Sequence, residues 1–149
     1  MTNEEAIRRF YHLAEIQDVT GCVNSFTPDG EFVDESTGIH YRGPDELGKI
    51  LMIYAKAFSD MHRELYNFYV MGDIVVVELA LQGTNDGPFE WPMGTLPPTG
   101  NRMDAPCCDV FRMANGKIQL FNCYVEGSVI LAQLGVLSNL GAALTPRSP

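Results

Sequence analysis

The sequence predicts an α+β fold, with helices packed on one face of a curved antiparallel sheet. Three observations carry this. Apolar residues in the first third of the chain follow helical spacing, those after about Met61 alternate every second position, and a last helical stretch spans Ser128 to Leu140. This order of helices, meander and closing helix fits one domain of residues 1–140, followed by a flexible tail, 141–149.

Thr2-x-x-Glu5 reads as a capping box for a first helix whose inner face is Ile7, Phe10, Tyr11 and Ala14, with Ile16 extending it. His12 falls off that stripe. A second short helix carries Val23 and Phe26 and ends at the turn signal Thr27-Pro28-Asp29-Gly30. Glu31 to Asp34 is a short strand with Phe32 and Asp34 on one face. His40-Tyr41-Arg42 leads into Gly43-Pro44-Asp45-Glu46, a helix start with proline in the first turn and two acids near the positive end of the dipole. Leu47, Ile50, Leu51, Tyr54 and Phe58 form one face of that helix. Strands then run to about Val70 and from Ile74 to Gln82 around Met71-Gly72-Asp73, with Val75, Val77, Leu79 and Leu81 on one face. Gly83 to Asn101, rich in Gly and Pro, reads as a lid or binding loop and holds the sole tryptophan, Trp91. Pro106 to Met113 and Lys117 to Val125 form a hairpin around Ala114-Asn115-Gly116.

Composition narrows the function. The hydrophobic share of 46% and charged share of 19% argue against disorder. Ten basic residues against nineteen acidic ones give a net charge of −9, which disfavours nucleic acid and anionic membrane surfaces as partners. The acidic N-terminus is unlike a secretory signal, and no apolar run approaches the roughly 20 residues of a membrane span. Cys22, Cys107, Cys108 and Cys123 lack paired spacing, which suits reduced thiols in a cytoplasmic protein. Adjacent Cys107 and Cys108 point to opposite faces of a strand and are poor co-ligands. The three histidines lie far apart, no Gly-rich phosphate loop follows a strand, and no serine sits in an elbow sequence. We therefore expect no metal and no cofactor.

The stretch Asp109-Val110-Phe111-Arg112-x-x-Asn115-Gly116-Lys117-Ile118, followed by Ala132-Gln133-Leu134-Gly135-Val136, resembles the end of SnoaL-like polyketide cyclases, a branch of the nuclear transport factor two-like superfamily. Phe58-x-Asp60-Met61-His62 and Leu96-Pro97-Pro98-Thr99-Gly100 resemble the same branch. The resemblance implies a cone-shaped α+β barrel, its curved sheet wrapped on N-terminal helices with a C-terminal helix. It also implies a homodimer. Such folds host cyclases, isomerases, dehydratases, epoxide hydrolases and non-catalytic binders.

Phe26-x-x-Asp29 to Asp34 is also similar to the steroid Δ-isomerase segment that carries the proton-abstracting aspartate, which falls on Asp34. Their neutral aspartic acid donor falls on Asp109, as in the ketosteroid isomerase pair. Their oxyanion tyrosine falls on Phe10, and Tyr11 is turned from it by about 100° around a helix. SnoaL-type cyclases use a late carboxylate; Cys123 stands where an acid is common, and Glu126 is nearby. The arginine–aspartate pair of the epoxide hydrolases has no match in Val75 to Leu79.

The candidate catalytic residues are thus Asp34, Asp109, His62 and Glu126. Asp109, in an apolar strand, loses hydration, which favours its neutral form and suits it to donate to an enolate; it could equally be structural, paired with Arg112. Asp34 is either a base or an acid that caps the Ser36-Thr37-Gly38 turn. His62 shares parity with Glu64 and Tyr66, a polar row that would line a cavity, or else bonds Asp60 at a sheet edge. Tyr11, Tyr54, Phe58, Trp91, Phe111 and Phe121 form either an aromatic pocket or plain core.

The expectation is a cofactor-independent cyclase or isomerase of secondary metabolism. It would act by acid/base enolisation on a small hydrophobic carbonyl compound, polyketide or terpenoid-like. A non-catalytic binding module, or a hydrolase or dehydratase using the same cavity, are the alternatives.

Overall fold

The computed structural model describes residues 1–144; of the expected tail, 141–149, residues 145–149 lie outside them, and residues 141–143 continue a short helix instead. Helix α1 spans Asn3–Glu15. The Glu5 amide donates to Thr2 Oγ1 at 3.1 Å and the Thr2 amide to Glu5 Oε2 at 2.7 Å, completing the capping box. Ile7, Phe10 and Tyr11 form its buried face, while Ile16 lies beyond the helix, 57% exposed, and does not extend it. Helix α2 (Val19–Asn24) starts at Asp18, whose carboxylate accepts from the Gly21 amide. It stops before Phe26, which opens a strand instead.

That strand, β1 (Phe26–Asp34), is longer than the sequence suggested. The Thr27-Pro28-Asp29-Gly30 signal lies inside it, where the pairing register shifts between Phe26 and Glu31. Turn chemistry here bends a strand rather than ending one. Strand β2 (Ile39–Arg42), helix α3 (Gly43–Ala57), β3 (His62–Met71) and β4 (Ile74–Thr84) follow. Within the segment read as a loop, β5 (Phe89–Trp91) and β6 (Gly94–Leu96) pair as a small hairpin. Strands β7 (Arg102–Ala114) and β8 (Lys117–Val125) flank the Asn115-Gly116 turn as expected. The closing helix is two short ones, α4 (Gly127–Gln133) and α5 (Leu140–Ala143), separated by Gly135 at φ 77°, a conformation that ends helices.

The main sheet runs β2-β1-β8-β7-β4-β3. It is antiparallel except between β1 and β8, which are parallel. The parallel step departs from the wholly antiparallel expectation. It arises because β8, besides its hairpin partner β7, pairs with β1, from which β2, α3 and the meander separate it in the chain. The sheet is open and curves over the helices as a cone. The core lies between them. Phe10 of α1 packs edge-on against Phe26, Phe111 and Phe121, with ring centroids 5.7, 6.1 and 5.7 Å away. Burying each such ring contributes about 1.5–3 kcal/mol.

One fully buried polar residue, Asn85, pins the segment between β4 and β7. Its amide nitrogen donates to the carbonyls of Ala57 and Gly87 at 3.2 and 3.0 Å. Its side-chain oxygen accepts from the Thr99 amide and hydroxyl at 2.9 and 2.8 Å. The hairpin is thereby tied to the end of α3. Gly87 is required there, because a Cβ would sit 1.9 Å from the Lys56 carbonyl oxygen. Truncating Asn85 to alanine leaves buried partners unsatisfied and should lower stability by about 2–3 kcal/mol. Urea unfolding of Asn85→Ala measures this directly, and an unchanged midpoint would contradict the pinning role.

Candidate active site

The pairing register arranges the inner face of the sheet in cross-strand rows. Phe32, Phe121 and Phe111 are successive partners across β1, β8 and β7. Phe32 meets Phe121 edge-on at a centroid distance of 4.7 Å, and Phe111 lies tilted by 30° against Phe121 at 4.3 Å. The next row is Asp34, Cys123 and Asp109. Two strand spacings separate the aspartates, so their Cα atoms lie about 10 Å apart. Both are buried, at 5% exposure for Asp34 and 3% for Asp109.

Asp109 is held from two sides. The Tyr11 hydroxyl donates to Oδ2 at 2.6 Å, and the Cys107 thiol donates to Oδ1 at 3.3 Å. Burial drives the Asp109 pKa above the ordinary carboxylate value; the Tyr11, Cys107 and Cys123 hydrogen bonds and the charge of Arg63 oppose that rise without cancelling it. Tyr11 is pushed well up, first by burial and then by the adjoining Asp109. Tyr11 therefore reaches the position facing the acid, although the family's tyrosine aligned with Phe10. Phe10 has the core contacts instead, and the one-residue turn of α1 brings Tyr11 against β7.

Asp34 serves two purposes at once. Oδ1 accepts from the Ser36 amide at 3.0 Å and the Ser36 hydroxyl at 2.6 Å, closing the turn into β2. Oδ2 has no hydrogen-bond partner among the described residues and belongs to the wall of a cavity.

Two cavities meet at α3. One, of about 50 Å³, is lined by Tyr11, Asp109, Phe121 and Cys123 together with apolar residues and Arg63. The other, of about 150 Å³, is lined by Asp34, Tyr41 and, from the hairpin, Phe89 and Trp91. Ile50 and Tyr54 line both and form the partition. Burial, then the nearby Asp34, raises the Tyr54 pKa well above its usual value, so its hydroxyl stays protonated. Each cavity holds only a few waters, so a substrate that contacts both acids must extend past Tyr54.

Several expectations are corrected. His62 is outside both cavities: its ring contacts Glu15 at 2.6 Å and Glu64 at 2.9 Å, and its side chain is 46% exposed. The alternation on β3 was legible, but the inward positions are Met61, Arg63 and Leu65, and the polar row His62, Glu64 and Tyr66 faces water. Its alternative partner Asp60 instead accepts from the Thr84 amide and hydroxyl. Glu126 is exposed at the start of α4, one position beyond β8. Phe58 and Phe111 are fully buried core residues and line neither cavity. Arg112 is exposed and does not pair with Asp109. Tyr11, Tyr54, Trp91 and Phe121 do line the cavities. Arg63 was not foreseen; its inward parity beside Met61 was the available signal.

Cys107, Asp109 and Cys123 have ligand atoms within 4.8 Å of one another, the one such group among the described residues. The thiols lie 3.7 Å apart. The hydrogen bond from Cys123 lowers the Cys107 pKa, but burial and Asp109 outweigh it and leave it at about 11; the same thiol contact and burial hold Cys123 well up. A metal ion there would first have to displace two protons. All four cysteines are free, and no helix among the described residues is long and apolar enough to cross a membrane.

An open sheet curved over helices, with acids on its concave face, defines the cone-shaped small-ligand-binding class of α+β folds. Within that class the model of the SnoaL-like domain matches residues 7–121, and the chain belongs to this family. Similar solved structures include a candidate SnoaL-like polyketide cyclase from Jannaschia sp. CCS1, at 21% identity and TM-score 0.79, covering 89% of this chain and 90% of that one. A protein of ketosteroid isomerase-like fold from Catenulispora acidiphila, solved with trimethylamine, is 21% identical at TM-score 0.76 and covers 97% and 100%. IdmH, a candidate polyketide cyclase from Streptomyces antibioticus, is 21% identical at TM-score 0.76 and covers 91% and 100%. Among curated proteins, none matches this sequence.

Two measurements check the electrostatics. Tyr11→Phe removes a hydrogen bond that favours the charged carboxylate, so the Asp109 pKa rises further; carbon-13 NMR of the Asp109 carboxyl reads the shift. The Glu15 and Glu64 contacts raise the His62 pKa above 6.5. Its stabilisation is therefore fully present below pH 6.5 and fades as pH rises through the elevated folded value. Stability of His62→Gln, followed from pH 5 to 9 by urea unfolding, should lose that part of the slope.

Proposed function

We propose that the protein is a cofactor-independent cyclase or isomerase that enolises a small hydrophobic carbonyl compound, polyketide or terpenoid-like. The observation that supports this most is the row Asp34–Cys123–Asp109, with two buried aspartates whose Cα atoms lie about 10 Å apart on one concave face.

The roles follow from the two environments. Asp34 keeps one oxygen on its turn and offers the other to a C–H bond next to the substrate carbonyl. Asp109, raised by burial, carries the proton that a developing enolate oxygen needs, with Tyr11 behind it. Asp34 takes the α-proton as the C–H electron pair becomes the enolate. For isomerisation, Asp34 returns that proton to a different carbon. For cyclisation, the enolate carbon attacks a second carbonyl, whose oxygen is then protonated. Apolar walls keep water from levelling the two acidities.

A homodimer through the outer sheet face belongs to the same reading, supported by the exposed Tyr69, Met71 and Tyr124.

The test is deuterium incorporation next to the carbonyl, followed by NMR across a panel of cyclic ketones and polyketide-like diketones in heavy water. Asp34→Asn and Asp109→Asn should each slow exchange about 10²–10⁴-fold while the fold persists. Exchange at the wild-type rate in both variants would remove the mechanism.

A further inference from the structure

Of the lysines and arginines among the described residues, Arg63 alone is not exposed. Its place follows from β3: His62 pairs with Gln82 and faces water, so Arg63, opposite Leu81, faces inward. Leu81 is in turn opposite Ala105, so the arginine lies in an otherwise apolar row. Its side chain forms part of the Asp109 cavity. It also lines a shallower recess reached past Gln17 and Val19, and Ala14, Leu51, Met61 and Arg63 belong to both walls. Arg63 thus stands at a mouth of the Asp109 cavity.

The guanidinium makes no ion pair and donates no hydrogen bond among the described residues. Glu15, which contacts the Arg63 backbone amide, and Glu64 beside it in sequence are both engaged with the His62 ring instead. Asp109 feels the Arg63 charge without touching it. A half-buried cation with five unused donors beside apolar walls is matched by a planar anion, which takes two parallel hydrogen bonds from the guanidinium fork. A neutral ketone would leave most of those donors unused.

We propose that Arg63 is a carboxylate-binding subsite: the substrate carries a carboxylate that docks at this mouth while its carbonyl end reaches Asp109. This rests on the enolisation reading and names the substrate class within it as keto acids. Against a protein of net charge −9, this arginine supplies the local attraction that the overall field denies to an anion. The reaction that supplies the substrate must then leave a free acid, as thioester hydrolysis does.

The test compares 2-naphthoate with its neutral isostere 2-naphthamide, titrated calorimetrically against the intact protein. The wild type should bind the carboxylate about tenfold or more tightly than the amide. Arg63→Gln should erase the preference and leave amide affinity unchanged. Should Arg63→Gln not fold, Arg63→Lys decides, since it keeps the charge but loses the fork; the preference must fall. Equal binding of the two probes, binding of neither, or a preference that survives both substitutions overturns the proposal. Asp109→Asn separates the two readings: it should slow exchange about 10²–10⁴-fold yet keep the carboxylate preference. In that variant, slowed exchange with the preference lost sinks the subsite alone, and wild-type exchange with the preference kept sinks the enolisation reading alone.

Discussion

The rest of the site depends on a carboxyl group placed where water cannot reach it. Asp109 lies on the inner face of β7 with no cation in contact, so the sheet must either neutralise it or solvate it with fixed donors. It does both in part. Burial lifts the pKa, and the Tyr11 hydroxyl supplies the shortest contact, 2.6 Å. That bond joins residues 98 apart in sequence. It therefore also fixes how α1 sits across the sheet. A helix rotated by one residue would present Phe10 to the acid and leave it without its donor. Packing and chemistry are the same constraint here: the aromatic contacts of Phe10 hold the rotation that aims Tyr11.

At α3, Ile50 and Tyr54 divide the concave space into an Asp109 side and an Asp34 side. Tyr54 on this partition is partly buried and feels the charges of Asp34, Cys123 and Cys107. The outer wall of the Asp34 side is the β5–β6 hairpin, held at its base by Asn85 and carrying Trp91. The indole Nε1 of Trp91 is buried with no hydrogen-bond partner. An unused donor in that position is a cost borne by the closed hairpin.

The sequence revealed α1, α3 and the meander because each rests on local information, a cap or a period, while the two aspartates came from a family resemblance joined to strand parity. It misled where geometry is decided at long range. Parity on β3 was correct, yet alternation alone does not say which set faces in. The apolar set was too weak to decide, since Arg63 interrupts it and Tyr66 adds an aromatic to the outer row. The Pro-Asp-Gly turn signal was absorbed as a bulge, because β8 continues the pairing on either side of it. Cys107, Cys123 and Asp109 meet only through the β7–β8 register, which spacing in the chain does not disclose. Phe58 and Phe111 show the limit of aromatic counting. Both are large and well placed, and both are needed to fill the core.

The thiol between the two acids carries its own argument. Where an acid is common in this family, Cys123 lies one strand from Asp34 and one from Asp109. A carboxylate there would set three acids about 5 Å apart in a single row, and their protons would titrate as one coupled set. The Cys107 contact and burial keep the Cys123 thiol protonated far above neutral pH. It therefore spaces the two carboxyl groups without adding charge. Asp34 keeps its hydrogen bonds to the Ser36 turn, while burial among apolar residues raises the Asp109 pKa. A neutral sulfur thus stands between two buried aspartates of different surroundings.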